Sequence, residues 1–266
     1  TGNAAFAAVT GTSIASAAAF TRIAWPEMKA AGYKHSFALG SIAGSACLGM
    51  LIPPSVLLIV WGIITEDSIG KLFVAGVIPG ILLAGFFAAY NMFTAKMNPS
   101  IAPEPDAMGD VTPLTKSQIY SGASIIGLIF LVLGGIWGGF FTATEAAGVG
   151  ALAGMCIAIA KGLRYKELVD CIIDAGKTSA PIMILLITAG MYSRFLSLAD
   201  IDSLIIGAMT SAGLDGAMGL VVMVIIWLLL GMLLDSISII LLTVPLFMTL
   251  SSGMDPYAFA IFGILA

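Results

Sequence analysis

Apolar residues in this chain run in long stretches, without the strict alternation of a half-buried strand or the narrow stripe of a soluble helix. Runs of about twenty such residues, the length a helix needs to cross hydrocarbon, predict spans at 72–93, 119–137, 144–160 and 180–196. Three other stretches do not fit a simple span. The opening AAFAAVTGTSIASAAAF is interrupted by Thr10-Gly11-Thr12-Ser13. The run 36–64 contains Pro53-Pro54, and 217–250 carries a lone Asp235 near its middle. Pro53 removes a backbone donor and disfavours helix at Ile52, so 36–64 reads as one crossing made of two half-helices. The run 217–250 is too long for one crossing and too short for two with a loop, and reads as a re-entrant hairpin.

The polar segments between these runs set the organisation. A basic loop holding Arg22, Lys29 and Lys34 follows the opening stretch, and a short acidic turn (Glu66, Asp67) precedes 72–93. Residues 94–118, rich in Pro, Asp and Glu, read as a cytoplasmic linker between two halves, 1–93 and 119–266. In 161–177, apolar residues recur at helical spacing between charges, which predicts an amphipathic helix lying in the membrane interface. Asp200, Asp202 and Asp215 mark a further acidic segment. The chain opens on Thr1 and stops within an apolar run, so it is expected to be the middle and later part of a longer protein.

Composition turns these runs into an all-α polytopic membrane protein. Hydrophobic residues make up 59% and charged residues 10%, against roughly 25% charged in a soluble domain, and mean hydropathy is +1.07. Spans this long and uninterrupted exclude an outer-membrane barrel. With the 94–118 linker inside, nine of the eleven Lys and Arg residues fall in cytoplasmic segments, leaving Lys71 and Arg194 outside. That orientation needs the opening segment to return to the inside and 217–250 to enter and leave from the outside. One hairpin from each face is the pattern of an inverted repeat.

Candidate chemistry collects at the interruptions. Thr10–Ser13, Gly49–Ser55 and Gly231–Ser238 each offer backbone carbonyls released from helix plus hydroxyls, the oxygen donors a Na⁺ ion takes, and half-helix N-termini beside them favour a carboxylate. Small residues and hydroxyls also serve simply to pack membrane helices closely. Asp235 at that depth is costly and faces either a polar pathway or the start of the helix after it, which it would cap. Thr142-Ala-Thr144-Glu145 has the spacing of a capping box, with a binding role as the alternative. Cys47, Cys156 and Cys171 lack metal-ligand spacing and read as small buried hydrophobes, and His35 as a solvated or headgroup-facing residue of the basic loop. There is no basic patch for nucleic acid, no phosphate-binding glycine loop, and no Ser–His or metal constellation. Transport coupled to an ion gradient is expected, with no cofactor and no enzymatic activity. A channel and, more remotely, an intramembrane hydrolase using Asp235 or a serine are the other classes.

These strings carry a family resemblance. TGTSIAS with PEMKAAGY, GMLIPPSVLLIVWGIITEDSIGKLFVAGVIPGILLA, GGFFTATEAAGVGA, LLLGMLLDSISIILLTVPLF and GMDPYAFAIFG stand in order along nearly the whole chain. They resemble the large, DctM-type membrane subunit of TRAP (tripartite ATP-independent periplasmic) transporters. The resemblance implies Na⁺-coupled import of an organic anion, such as a C4-dicarboxylate or sialic acid, across a bacterial or archaeal inner membrane. It implies an elevator-type fold of the ion-transporter kind built on two opposed hairpins. It also implies a small Q-type membrane subunit and a periplasmic P-type binding protein as partners. One Na⁺ would sit between Thr10, Gly11, Thr12, Ser13 and the Gly49, Ile52, Pro53, Pro54 break. A second would sit between Gly231, Asp235, Ser236, Ser238 and an element after Pro256 that the chain does not complete. The family commonly has Ser-Gly-Ser at the first tip and an aspartate four residues on. Here Thr10-Gly11-Thr12 and Ser16 stand in those places, keeping hydroxyls and losing the carboxylate. A related carboxylate carrier that needs no binding protein is the nearest alternative.

Overall fold

In the computed structural model, residues 2, 3, 6, 10–102, 115–211, 216–250 and 254–266 are described, and every regular element among them is helical. In chain order these are α1 (Ser13–Ala30), α2 (His35–Ala46), α3 (Val56–Thr65), α4 (Ile69–Met97), α5 (Lys116–Trp137), α6 (Ala143–Ala160), α7 (Tyr165–Leu198), α8 (Ile201–Ser211), α9 (Gly216–Gly231), α10 (Ser236–Leu250) and α11 (Pro256–Leu265). Among the described residues, four helices are long and apolar enough to cross a membrane: α4, α5 (within 118–137), α6 and α7. Their outward faces carry large apolar side chains, such as Ile78 (70% exposed), Phe86 (69%) and Phe130 (73%). Such exposure is stable where the surrounding medium is hydrocarbon.

The helix break in 36–64 is built as its prolines dictate. After α2 the chain tightens into a 3₁₀ turn, Cys47–Met50, then leaves helical geometry over 51–55 and resumes as α3. Pro53 and Pro54 cannot donate to a helical ladder, and the buried Ser55 hydroxyl donates to the Met50 carbonyl across the gap.

Several expected boundaries shift. Arg22 and Lys29 belong to α1, which runs on through Pro26 to Ala30, so the basic loop shrinks to 31–34. His35 opens α2 with its ring edge-on to Trp25, 4.9 Å between centroids. The interfacial helix expected at 161–177 and the span after it are one helix, α7, which passes through Pro181. Arg164 and Glu167 start it, the Arg164 N–H donating to the Glu167 carboxylate at 2.8 Å, and nothing between 177 and 180 stops it. Residues 201–211, read as an acidic connection, form α8. The central part of the expected linker, 103–114, and Asp215 lie outside the described residues. Cys47, Cys156 and Cys171 are exposed rather than buried.

The chain divides into two compact units. One comprises Thr1–Val56 and Phe73–Ile157, the other Leu57–Leu72 and Ala158–Ala266. In the first, α1 packs on α2, and α2 approaches α4 so closely that a Cβ on Gly44 would lie 2.6 Å from the Phe87 ring. The core of the second is aromatic: Trp227 of α9 lies 5.2 Å from Phe247 of α10, and Trp61 of α3 lies 5.5 Å from Phe259 of α11.

Candidate functional site

Gly11 has φ +66°, a left-handed conformation that costs a side-chain-bearing residue roughly 1–2 kcal/mol. Thr12 follows in extended geometry, and α1 begins at Ser13. The turn lays the Gly11 carbonyl against the start of α3, where it accepts the Val56 N–H at 3.1 Å. Val56 is the first residue of α3 and its N–H has no helical partner, so the first tip supplies one. A Cβ on Gly11 would lie 2.9 Å from the Pro54 carbonyl oxygen. The first interruption and the proline break, 42 residues apart in sequence, therefore form one place.

Around that place Gly11, Gly49 and Pro53 are buried, and Thr10, Thr12, Ser13, Ile52 and Pro54 are half-buried. The Thr12 carbonyl accepts the Ser16 N–H at 3.2 Å and the Thr10 hydroxyl at 3.4 Å. All the donors gathered here are neutral oxygens from hydroxyls and carbonyls, a set suited to a hard monovalent cation. Beside the break, Ile52 and Pro53 with Val77, Ile81, Leu133 and Trp137 line a cavity of about 330 Å³ whose walls are almost wholly apolar. That cavity offers nothing to an anion or an ion; the polar face is the one turned to the tip.

Ser16 is set apart from the tip. It is 0% exposed, and its hydroxyl donates to the Asn3 Oδ1 at 2.9 Å. Asn3, which the sequence reading passed over, is also buried and donates to the Ile42 carbonyl and the Ser45 hydroxyl. A lone amide among alanines in TGNAAF was the available signal.

In the other unit, α9 and α10 form a helical hairpin. The Trp227 Nε1–H of one arm donates to the Thr243 hydroxyl of the other at 2.8 Å, with both residues buried. The connection 232–235 ends on Asp235, whose Oδ2 accepts the N–H groups of Ile237 (3.1 Å) and Ser238 (3.2 Å), while Oδ1 accepts the Ser238 hydroxyl. The carboxylate is thus the N-cap of α10. Gly231 and Asp235 are exposed, Ser236 and Ser238 half-buried. Glu145 behaves likewise: its Oε2 accepts both the N–H and the hydroxyl of Thr142 at 2.8 Å, and the Glu145 N–H donates back to Thr142 Oγ1 at 3.3 Å. That is the capping box of α6, with Thr144 exposed beside it. Among the described residues no three His, Cys, Asp or Glu side chains gather as a metal cluster.

The family described as "Tripartite ATP-independent periplasmic transporter, DctM component" matches residues 1–266. The chain is 31% identical over 255 residues to a C4-dicarboxylate TRAP transporter large permease protein of Pseudomonas aeruginosa, covering 94% of this chain and 59% of that one. It is 32% identical to an ectoine/5-hydroxyectoine TRAP transporter large permease protein of Ruegeria pomeroyi, covering 94% and 59%. It is 28% identical to an isethionate TRAP transporter permease protein of Oleidesulfovibrio alaskensis, covering 96% and 40%. The chain thus spans three fifths or less of the length of these relatives. The helical build, with four helices long and apolar enough to cross a membrane among the described residues, agrees with that match, and the chain belongs to the DctM component family of tripartite ATP-independent periplasmic transporters.

Proposed function

We propose that this chain forms much of the translocating part of a secondary importer in a bacterial or archaeal inner membrane. Its cargo is a small organic anion handed over by a periplasmic binding protein, and its membrane partner is a small Q-type subunit. The relatives are named for C4-dicarboxylate, ectoine and isethionate, small molecules that each bear a carboxylate or sulfonate; two are net anions and ectoine is a zwitterion, so the shared feature is the acidic group.

The observation that carries the reading is the Gly11 carbonyl bonded to Val56 N–H, which draws hydroxyls and released carbonyls to one point beside a helix N-terminus. Na⁺ held among Thr10, Thr12, Ser13 and the Gly49–Pro54 backbone neutralises charge that hydrocarbon would otherwise penalise. A second Na⁺ belongs at Gly231–Asp235, where the Asp235 carboxylate fixes the backbone through its cap. With both ions and the anion bound, the two hairpins re-enter the membrane from opposite faces and move with the cargo past a scaffold as an elevator.

The test is uptake by proteoliposomes holding the full-length subunit, its small partner and its binding protein. Uptake should need an inward Na⁺ gradient and the binding protein, and Thr12→Ala should raise the Na⁺ concentration for half-maximal uptake. Saturable uptake indifferent to Na⁺ would discard the coupling, and current without a binding protein would point to a channel.

A further inference from the structure

Asn3 lies beneath the first tip and takes no part in it. A carboxamide buried to 2% exposure in an apolar chain is costly unless its hydrogen bonds are made. Here they are made to separate elements: Oδ1 accepts from Ser16 of α1 at 2.9 Å, and Nδ2 donates to the Ile42 carbonyl (2.8 Å) and Ser45 hydroxyl (2.9 Å) of α2. One side chain ties the segment before the tip to the helix after it and ties both to the first half of the broken crossing. The connection continues outward, since the Ser45 hydroxyl donates to the Ser41 carbonyl at 2.6 Å and the Ser41 hydroxyl donates to Asn91 of α4 at 2.8 Å. It continues inward too: Ser16 gives its own N–H to the Thr12 carbonyl, one turn from Gly11.

We infer that Asn3 is a positioning residue, which sets the depth at which the first tip rests against the proline break and so tunes the ion site there. Beside the packing of α1 along α2, hydrogen bonds tie this part of the chain to the broken run at the Asn3 junction with α2 and at the Gly11–Val56 bond. Between two fixed points the tip has one register. Without the Asn3 junction the packing of α1 on α2 loses its polar pin, and the Gly11 carbonyl is held less firmly against Val56. The geometric half of this inference stands on the hydrogen bonds alone, while the ion half rests on the proposed function.

Asn3→Ala and Ser16→Ala in the full complex provide the test, read in two ways. Hydrogen–deuterium exchange at the Val56 amide reports the tip contact without reference to transport. It should quicken in Asn3→Ala, while the α9–α10 hairpin exchanges at the wild-type rate. In proteoliposomes the Na⁺ concentration for half-maximal uptake should rise about threefold to tenfold, the order of weakening the single Gly11–Val56 hydrogen bond at the tip, with the maximal rate much less affected. Simple glue between helices would instead lower yield or maximal rate and leave the Na⁺ dependence alone. Ser16→Ala keeps two of the three Asn3 bonds, so it decides by the same readouts should Asn3→Ala fail to assemble. Wild-type exchange at Val56 in an assembled variant overturns the inference. Quickened exchange in a transporter that ignores Na⁺ would sink the proposed coupling and leave the positioning role standing.

Discussion

At the scale of single residues, Gly11 and Asp235 separate backbone requirements from charge. Gly11→Ala pays for a left-handed φ and drives a Cβ to 2.9 Å from the Pro54 oxygen, a backbone atom that cannot step aside. Gly32, at φ +88° with nothing within 4 Å of its Cβ position, pays only the conformational cost. Uptake should therefore fail in Gly11→Ala and persist in Gly32→Ala, with both complexes assembled; equal loss would mean the tip contact is immaterial. Asp235→Asn keeps an acceptor for the two N–H groups and turns its amide towards the Ser238 hydroxyl, so the cap survives the loss of charge. It should retain Na⁺-dependent uptake, whereas Asp235→Ala loses the cap at about 1 kcal/mol and melts earlier. Abolished Na⁺ dependence in Asp235→Asn would make the carboxylate itself an ion ligand. The Glu145 cap was legible because its partner is three residues away. Asn3 was not, because its acceptors lie 39 and 42 residues away and no local pattern announces them.

At the scale of elements, the physics of one segment is readable and the physics of its junctions is less so. The helix break at 51–55 appeared where expected because proline acts on its own backbone, and the run 217–250 folds back on itself as an apolar run of that length allows. The structure places that fold at 232–235, with α9 and α10 as arms. The basic loop and the interfacial helix were misjudged for one reason: charges at a membrane edge look like the end of a helix, yet Arg22, Lys29, Lys166 and Lys177 sit on helices that continue through them. Cross-hairpin polar contacts are likewise invisible in the sequence. Thr243→Val strips the buried Trp227 N–H of its acceptor while keeping the shape, at a cost of about 0.6 to about 1.7 kcal/mol for an interhelical bond in a membrane protein. Among the described residues, the Thr188 hydroxyl bonds only to carbonyls of its own helix, at Ile184 and Leu185. Thermal unfolding of the solubilised complex should thus come earlier for Thr243→Val and not for Thr188→Val. Identical curves would mean the hairpin arms are held by their aromatic rings alone.

At the scale of the whole molecule, orientation follows from where the cations lie on the helices that cross. Lys34, Lys96, Lys116, Lys161, Arg164 and Lys166 stand at or near the ends joined by 31–34, 98–115 and 161–164, while the opposite ends, at 66–68 and 138–142, carry Glu66, Asp67 and Glu145. Moving lysines across an energised membrane is opposed, so the lysine-rich ends are expected to face the cytoplasm. Single cysteines test this after Cys47, Cys156 and Cys171 are replaced. Ser68 and Phe140 are exposed at one set of ends, and Tyr165 is 82% exposed at the other. In intact cells a membrane-impermeant maleimide should reach Ser68→Cys and Phe140→Cys through the periplasm, and Tyr165→Cys only after permeabilisation. The reverse pattern would invert the protein, placing both hairpins on the wrong faces for an importer fed from the periplasm. Labelling of Ser68→Cys and Tyr165→Cys from the same side would be more damaging, because three crossings, α4, α5 and α6, separate them. Only an odd number of true spans between those two positions lets one hairpin enter from each face, and that parity is what an inverted repeat requires.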